Sequence, residues 1–466
     1  MKPTLRIILS MVMLATILAA CGYPAQTSTP EPYAARPTIV WPSATPSPTI
    51  TPTATPLPPS TPTRTPLATD TPGASPTLTP TALPLDMQMR IFEDMWSVVN
   101  ENYVYPDFNG VDWEAVRVEF RQRISAGLDN AGFYNTMYEM IYRLGDEHSF
   151  YLSPQEVAED EAHYAGQHDY VGIGVLHQPI PERLLTVILA VFPDSPAEAA
   201  GLQPRDAILE VEGVPIIDED GILRDTVRGP AGTPVTLTVR TPGQAERQVT
   251  IIRQRITGSV SVPYQVLTSP AGLRIGYIFL FGFDDSTIDE RVADNLQVMT
   301  AEGPLDGLII DNRMNGGGAS TVVEPILGYF TGGTLGYYVY QNEQRPFRVS
   351  STDINGSQDI PLVVLVGTGS ASFGEIFAGV LQDSGRAHII GTITDGNVEV
   401  LWGYNFDDGS ELWLASETFR PYLHPELDWE ASGIIPDEIV AGDFDQSTLE
   451  NDPPVLAALA YFESLP

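Results

Sequence analysis

Pro361-Leu362-Val363-Val364-Leu365-Val366-Gly367-Thr368-Gly369-Ser370-Ala371-Ser372-Phe373-Gly374-Glu375-Ile376 is the stretch that decides how this chain folds. Its opening is an unbroken apolar run, the pattern of a strand buried on both faces, and the small residues behind it cannot extend that strand. A strand that breaks into a tight loop and then a helix is the repeating unit of an α/β core. Working outward, Arg274 to Leu280 and Leu305 to Ile310 read as further strands. Ile288, Val292, Leu296 and Met299 mark a helix between them. The second of these strands runs into Asp311-Asn312-Arg313-Met314-Asn315-Gly316-Gly317-Gly318, a glycine-rich loop. The core is predicted over 259–445, with a helical tail over 446–466.

Upstream, helical spacing returns three times. Asp112 is placed as an N-cap ahead of Trp113, Val116, Phe120 and Ile124; Phe133, Met137, Ile141 and Leu144 repeat the pattern; Ile91, Met95, Val98 and Val99 carry it between Asp86 and Tyr103. Together they predict a helical cap over 85–164, containing Gly145-Asp146-Glu147-His148-Ser149. The next stretch, 165–258, resembles a PDZ domain. Tyr170-Val171-Gly172-Ile173-Gly174-Val175 is similar to that family's carboxylate-binding loop, and Ser195-Pro196-Ala197 with Ala200-Gly201-Leu202, Asp206 and Ile208 matches its second signature. Val171, Gly172, Ile173 and Gly174 are therefore the expected peptide-binding residues. Successive N–H groups on such a loop can converge on a terminal carboxylate, and the adjacent strand edge can accept a peptide strand.

The amino terminus reads as an address. Lys2 and Arg6 precede an apolar run from Ile7 to Ala20, too short for a confident membrane span and suited to a secretory signal. Leu18-Ala19-Ala20-Cys21-Gly22 resembles the bacterial lipobox, which implies cleavage within 1–21, lipidation of Cys21 and an extracytoplasmic lipoprotein held at the cell membrane; the alternative is an ordinary signal with an incidental cysteine. Cys21 is the only cysteine, so no disulfide can form. Residues 22–84 follow as a linker, with 17 prolines among positions 24–84 interleaved with Thr and Ser. Such a composition cannot build a core and stays extended. Without Lys2 and Arg6, 22 basic residues face 60 acidic ones, a formal charge of −38. That argues against a nucleic-acid partner and against direct contact with anionic lipid heads, and reads as a solvated acidic surface.

Ser372 sits where the loop gives way to a helix beginning near Phe373. There the helix dipole favours negative charge, and the Phe373 N–H is free to meet a developing oxyanion. Gly317 has no side chain to shield its own N–H from the same point. Ser372 and Glu375 also have the spacing of a Ser-x-x-Glu capping box, which many inert helices carry; for Glu375 this is the preferred reading.

From the helical cap to Pro436-Asp437 the chain resembles the carboxyl-terminal processing (tail-specific) serine peptidases and the related tricorn core peptidases. Their D-x-R-x-N-x-G-G loop falls on Asp311, Arg313, Asn315, Gly317 and Gly318. Their S-A-S-x-x-E run falls on Ser370 to Glu375, and A-G-x-L-Q-D-x-x-R-A falls on Ala378 to Ala387. The resemblance implies a mixed α/β protein with a core of crotonase-like ββα type. It also implies acyl-transfer chemistry on protein or peptide substrates, with Ser372 as nucleophile, Gly317 and Phe373 as oxyanion donors, Gly318 and Glu375 in support, and no cofactor or metal.

One departure decides the mechanism. The processing peptidases carry their lysine base in a T-x-G-K run, which here is Thr394-Asp395-Gly396-Asn397, and the glutamine that follows it is Leu401. Lys2 is the only lysine in the chain. A neutral amide cannot take the hydroxyl proton. Either the protein is an inactive, PDZ-bearing pseudopeptidase that binds carboxyl termini, or it uses the tricorn-like arrangement. In the latter His148 is the base, Glu430 of Trp429-Glu430-Ala431-Ser432-Gly433 orients it, and Ser149 helps position the pair. The imidazole's ordinary pKa near 6.5 suits both proton transfers. His388 reads as a core histidine and His424 as a reserve base, while the spacings of His163, His168 and His177 suggest no metal site. The oligomeric state and the natural substrate are left open by the sequence.

Overall fold

Two β-sheets form the main body. The computed structural model describes residues 83–466 apart from 147, 220, 225, 341 and 342. The expectations for the secretory segment, Cys21 and almost all of the linker lie outside the described residues. No helix among the described residues is long and apolar enough to cross a membrane.

The first sheet runs in the order Tyr264–Thr268, Arg274–Phe279, Gly307–Asp311, Leu362–Val366, His388–Gly391 and Glu438–Ile439, parallel after its first pair. Every residue of Gly307–Asp311 and Leu362–Val366 is buried, as their unbroken apolar patterns require. Helices Ile288–Thr300, Ser320–Gly328 and Phe373–Asp383 pack their buried residues into the same core. The last helix, Pro453–Ser464, does the same: Val455, Ala458, Leu459 and Phe462 are core residues, so the expected tail is an integral layer. Gly307 makes room for it, since a Cβ there would lie 2.7 Å from the Phe462 ring.

The second sheet is built around the long strand Glu411–Pro421, which pairs with Phe150–Leu152, Val400–Asn405 and Gly333–Tyr340, the last pairing in turn with Glu343–Val349. Cap helices Leu85–Asn102, Trp113–Ser125 and Asn130–Tyr142 form where the spacing predicts them, and Asp112 caps the second by accepting from Ala115 N–H at 2.9 Å. Their apolar faces close over Leu412, Leu414 and Ala415 of the long strand. Two bonds fasten this seam: Val104 N–H to Ala415 O at 3.0 Å and Ala415 N–H to Ser149 Oγ at 2.9 Å. A fourth helix, Pro154–Tyr164, starts from a Ser153/Glu156 capping box and has no counterpart among the helices that apolar spacing predicts.

The PDZ-like module is an antiparallel sheet of Val175–Ile180, Leu185–Val191, Ala207–Val211, Pro234–Arg240 and Arg247–Ile252. A ladder between His168–Gly172 and Gln254–Gly258 closes it. Strand Leu185–Val191 serves two interiors: Ile188 points into the module, while Leu185, Val187 and Leu189 join the main core. Burying each such side chain stabilises the docking by about 1.5–3 kcal/mol. Arginines complete it, with Arg183 and Arg240 on Asp445 at 2.6 and 3.2 Å and Arg205 on Asp452 at 2.6 Å.

Candidate active site

Ser372 has φ 52° and ψ −127°, a backbone conformation that L-residues seldom adopt, at the point where the loop enters helix Phe373–Asp383. Such strain persists only when the surroundings enforce it, and here two loops do. Ala371 N–H bonds Asn315 O at 3.0 Å, Ser370 Oγ donates to Asn312 O at 2.7 Å, and Asn312 Nδ2 donates to Gly374 O at 2.9 Å. Gly374 has to be glycine, because a Cβ would stand 2.2 Å from Asn315 O. The Ser372 hydroxyl makes no capping bond and is partly accessible.

Gly317 lies against Ser372: a Cβ on it would come within 3.0 Å of both Ser372 Oγ and Phe373 N. The Phe373 N–H donates to no group among the described residues, as an oxyanion donor should. The Gly317 N–H differs from expectation, since it already donates to Asn315 Oδ1 at 2.9 Å. It has to leave that acceptor before it can serve a substrate. Gly318 N–H has no such engagement among the described residues, and its own Cα is pinned against the Phe283 backbone.

Glu375 does not close a capping box. The Ser372 N–H goes to Asn397 O at 2.7 Å, and Glu375 reaches forward instead. Its Oε1 accepts from Thr394 Oγ1 and from Gly396 N–H at 2.9 Å, and its Oε2 from Asn397 N–H at 2.7 Å. This buried carboxylate therefore clasps the loop in which the processing peptidases carry lysine. Burial pushes its carboxyl up to about 7, against the pull of those three donors.

His148 is buried, at 5% exposure, and its Nδ1 lies 3.0 Å from Glu399 Oε2, whose side chain is 3% exposed. The approach is oblique, and neither ring nitrogen makes an aligned hydrogen bond among the described residues. The hydroxyl-to-imidazole bond of a working triad is accordingly not closed in this arrangement; catalytic bonds often tighten only in the substrate complex. Glu430 is not the carboxylate against the ring: its Oε2 accepts from Val398 N–H at 2.7 Å. It lies close enough to feel both partners, and burial, then the Glu399 charge, push its carboxyl up to about 8. Nor does Ser149 touch the pair. Its Oγ accepts from Ala415 N–H and donates to Asp146 Oδ2 at 3.3 Å, which makes it a brace of the turn.

Three further groups shape the site, and sequence reasoning misses them. Asp146 Oδ1 accepts the His148 and Ser149 N–H groups at 2.8 Å each and so folds the turn that presents the imidazole; burial and then Glu399 raise its carboxyl to about 6. Tyr105 donates to Glu399, and burial with the nearby carboxylates holds its phenol protonated. Glu399 itself interrupts the apolar run Val398-Glu399-Val400-Leu401, which is the available signal. The other histidines lie elsewhere. His424 bonds Asp383 at 2.7 Å, at the far end of the helix that Ser372 opens and about 16 Å of helix from it, so it cannot serve as reserve base. His388 stacks on Tyr461, and His163 pairs with Asp284 at 2.6 Å. In the PDZ-like module Gly174, at φ +87°, packs against Ser195, and the Ile173 and Gly174 N–H groups donate to nothing else among the described residues. Val171 and Gly172 are already paired in the closing ladder with Arg255 and Gln254.

Residues 274–440 match peptidase family S41, residues 88–142 the tricorn protease C1 domain, and residues 187–241 a PDZ domain. The chain is 31% identical over 368 residues to a carboxyl-terminal-processing protease of Synechocystis sp., covering 78% of this chain and 83% of that one. It is 28% identical over 380 residues to carboxyl-terminal-processing peptidase 3, chloroplastic, of Arabidopsis thaliana, covering 78% and 70%. Among solved structures, a photosystem II D1 C-terminal processing protease superposes with a TM-score of 0.56 at 25% identity, over 80% of this chain and 97% of that one.

Proposed function

This chain belongs to the carboxyl-terminal-processing proteases of peptidase family S41, and we propose that it is an active serine endopeptidase in which a histidine replaces the family's lysine. Ser372 is the nucleophile and His148 the general base. The observation that carries this reading is a buried imidazole against a buried carboxylate, 3.0 Å apart, delivered by the loop whose backbone binds the nucleophile.

In the reaction His148 takes the Ser372 proton as Oγ bonds the scissile carbonyl carbon. Phe373 N–H, joined by a glycine N–H of the 316–318 loop, binds the resulting oxyanion. The C–N bond then breaks as the imidazolium returns its proton to the leaving amine, and water releases the acyl group by the same steps reversed. The loop at Ile173 and Gly174 engages the substrate's carboxyl terminus, and Val175–Ile180, the outermost strand of its sheet among the described residues, extends the grip. We place the protein outside the cytoplasm, anchored through a lipid on Cys21 at the end of its linker.

Labelling by a fluorophosphonate tests the chemistry. The full chain should label; Ser372→Ala should abolish labelling and His148→Ala strongly reduce it. No labelling by a protein that still binds tail peptides would instead mean a carboxyl-terminus-binding pseudopeptidase.

A further inference from the structure

We propose that Glu399, and not Glu430, is the residue that positions His148 for proton transfer. The inference rests on His148 being the base and adds to it the source of its orientation.

Glu399 is the only carboxylate among the described residues within 4 Å of either ring nitrogen. Both side chains are almost wholly buried, where a fixed anion beside Nδ1 selects the tautomer whose Nε2 is free to accept a proton. The remaining groups around the ring are committed elsewhere. Asp146 binds the backbone N–H of His148 and of Ser149, with Tyr103 on its other oxygen. Glu430 binds Val398 N–H, and Glu375 binds the 394–397 loop. Tyr105 donates to Glu399 itself, which holds that carboxylate in place.

The chain geometry ties this pair to the nucleophile. Three consecutive residues do three jobs: Asn397 O accepts the Ser372 N–H, Val398 N–H donates to Glu430, and the Glu399 side chain meets His148. A shift of this run would move the nucleophile and the imidazole's partner together, and the Glu375 clasp opposes such a shift. Glu430 then fixes the run rather than the ring. Burial, and then the Glu399 charge beside it, raise its carboxyl to about 8.

The test is the pH dependence of fluorophosphonate labelling by the full chain and by Glu399→Gln, Glu399→Asp, Glu430→Gln and His148→Ala. Glu399→Gln keeps an acceptor for Tyr105 but removes the anion. It should slow labelling by about 100-fold to 10,000-fold and move the acid limb of the profile to lower pH, because the imidazolium loses its counter-charge. Glu399→Asp should recover part of the rate and return the limb toward its original place. Glu430→Gln, which can still accept from Val398, should lose less than about tenfold with no such movement of the limb. If Glu399→Gln labels at the original rate and limb while His148→Ala is dead, or if Glu430→Gln takes the larger loss, the positioning role is overturned and the base stands. Should His148→Ala label like the unaltered protein, base and positioning residue fail together.

Discussion

Replacing Asp452 by alanine should destabilise this protein far more than removing one partner of a solvent-exposed ion pair. Asp452 is fully buried; its Oδ2 receives Arg205 at 2.6 Å and Arg313 at 2.7 Å, and its Oδ1 receives Arg313 at 3.0 Å. Asp311, also at 0% exposure, receives Arg313 at 2.7 and 2.9 Å and Tyr277 at 2.7 Å. Two buried anions thus balance two cations. Removing one anion leaves an uncompensated positive charge in the interior, a change that costs about 3–5 kcal/mol, although the whole cluster could be exchanged for apolar residues at little loss. At roughly 1–2 °C per kcal/mol for a folded body of this size, Tm should fall by at least about 3 °C. The same change at Asp169, whose bond to Arg255 is equally short but solvent-exposed, should leave Tm unchanged. Thermal and urea unfolding followed by circular dichroism measure both. A loss for Asp452→Ala below about 1 kcal/mol, or one equal to that for Asp169→Ala, would refute the claim that burial decides the outcome.

Gly374→Ala should separate the nucleophile loop from the 312–318 loop, because its Cβ would stand 2.2 Å from Asn315 O. We expect a destabilisation of about 1–3 kcal/mol and at least a tenfold loss of labelling, read on the same samples. The Glu430 carboxyl binds its proton more tightly in the folded protein than in the unfolded chain, so its contribution to stability is complete below about pH 4.3 and is lost as pH rises toward about 8. Glu430→Gln removes that loss, and its Tm relative to the unaltered protein should rise steadily from pH 5 to pH 8; a difference independent of pH would contradict this. With His148 as the proposed base, Asn397→Lys should not raise peptide turnover; a clear gain would mean that the lysine-type site is merely broken.

Local order is readable wherever it depends on neighbours in the chain. The three cap helices, the strand ending at Val366 and the helix beginning at Phe373 follow from apolar spacing and a break into small residues. Helix Pro154–Tyr164 escapes such a reading because its interior has no buried residue and hence no apolar stripe, only a capping box. Glu375 departs from expectation for a related reason: Ser-x-x-Glu spacing permits a capping box, but the positive φ at Ser372 and the nearby 394–397 loop give the carboxylate better donors. Gly317 keeps its place beside Ser372, while its N–H turns to an acceptor two residues away in its own loop.

The residues by themselves determined that the family's lysine position holds Asn397, that His148 of the cap was a candidate base beside the reading of an inactive pseudopeptidase, and that a glycine-rich loop would lie beside Ser372. They could not determine which acid meets that histidine, since Glu399 and Glu430 both come from segments remote in the chain from His148. That choice was made by packing: the cap closes over the strand Glu411–Pro421, Asp146 folds the turn that carries the ring, and Glu375 pins the run leading to Glu399. Periodicity reports the face of one element. Contact between side chains on different elements depends on how those elements pack, and here that packing put Glu399 against the ring and left Glu430 on the backbone beside it.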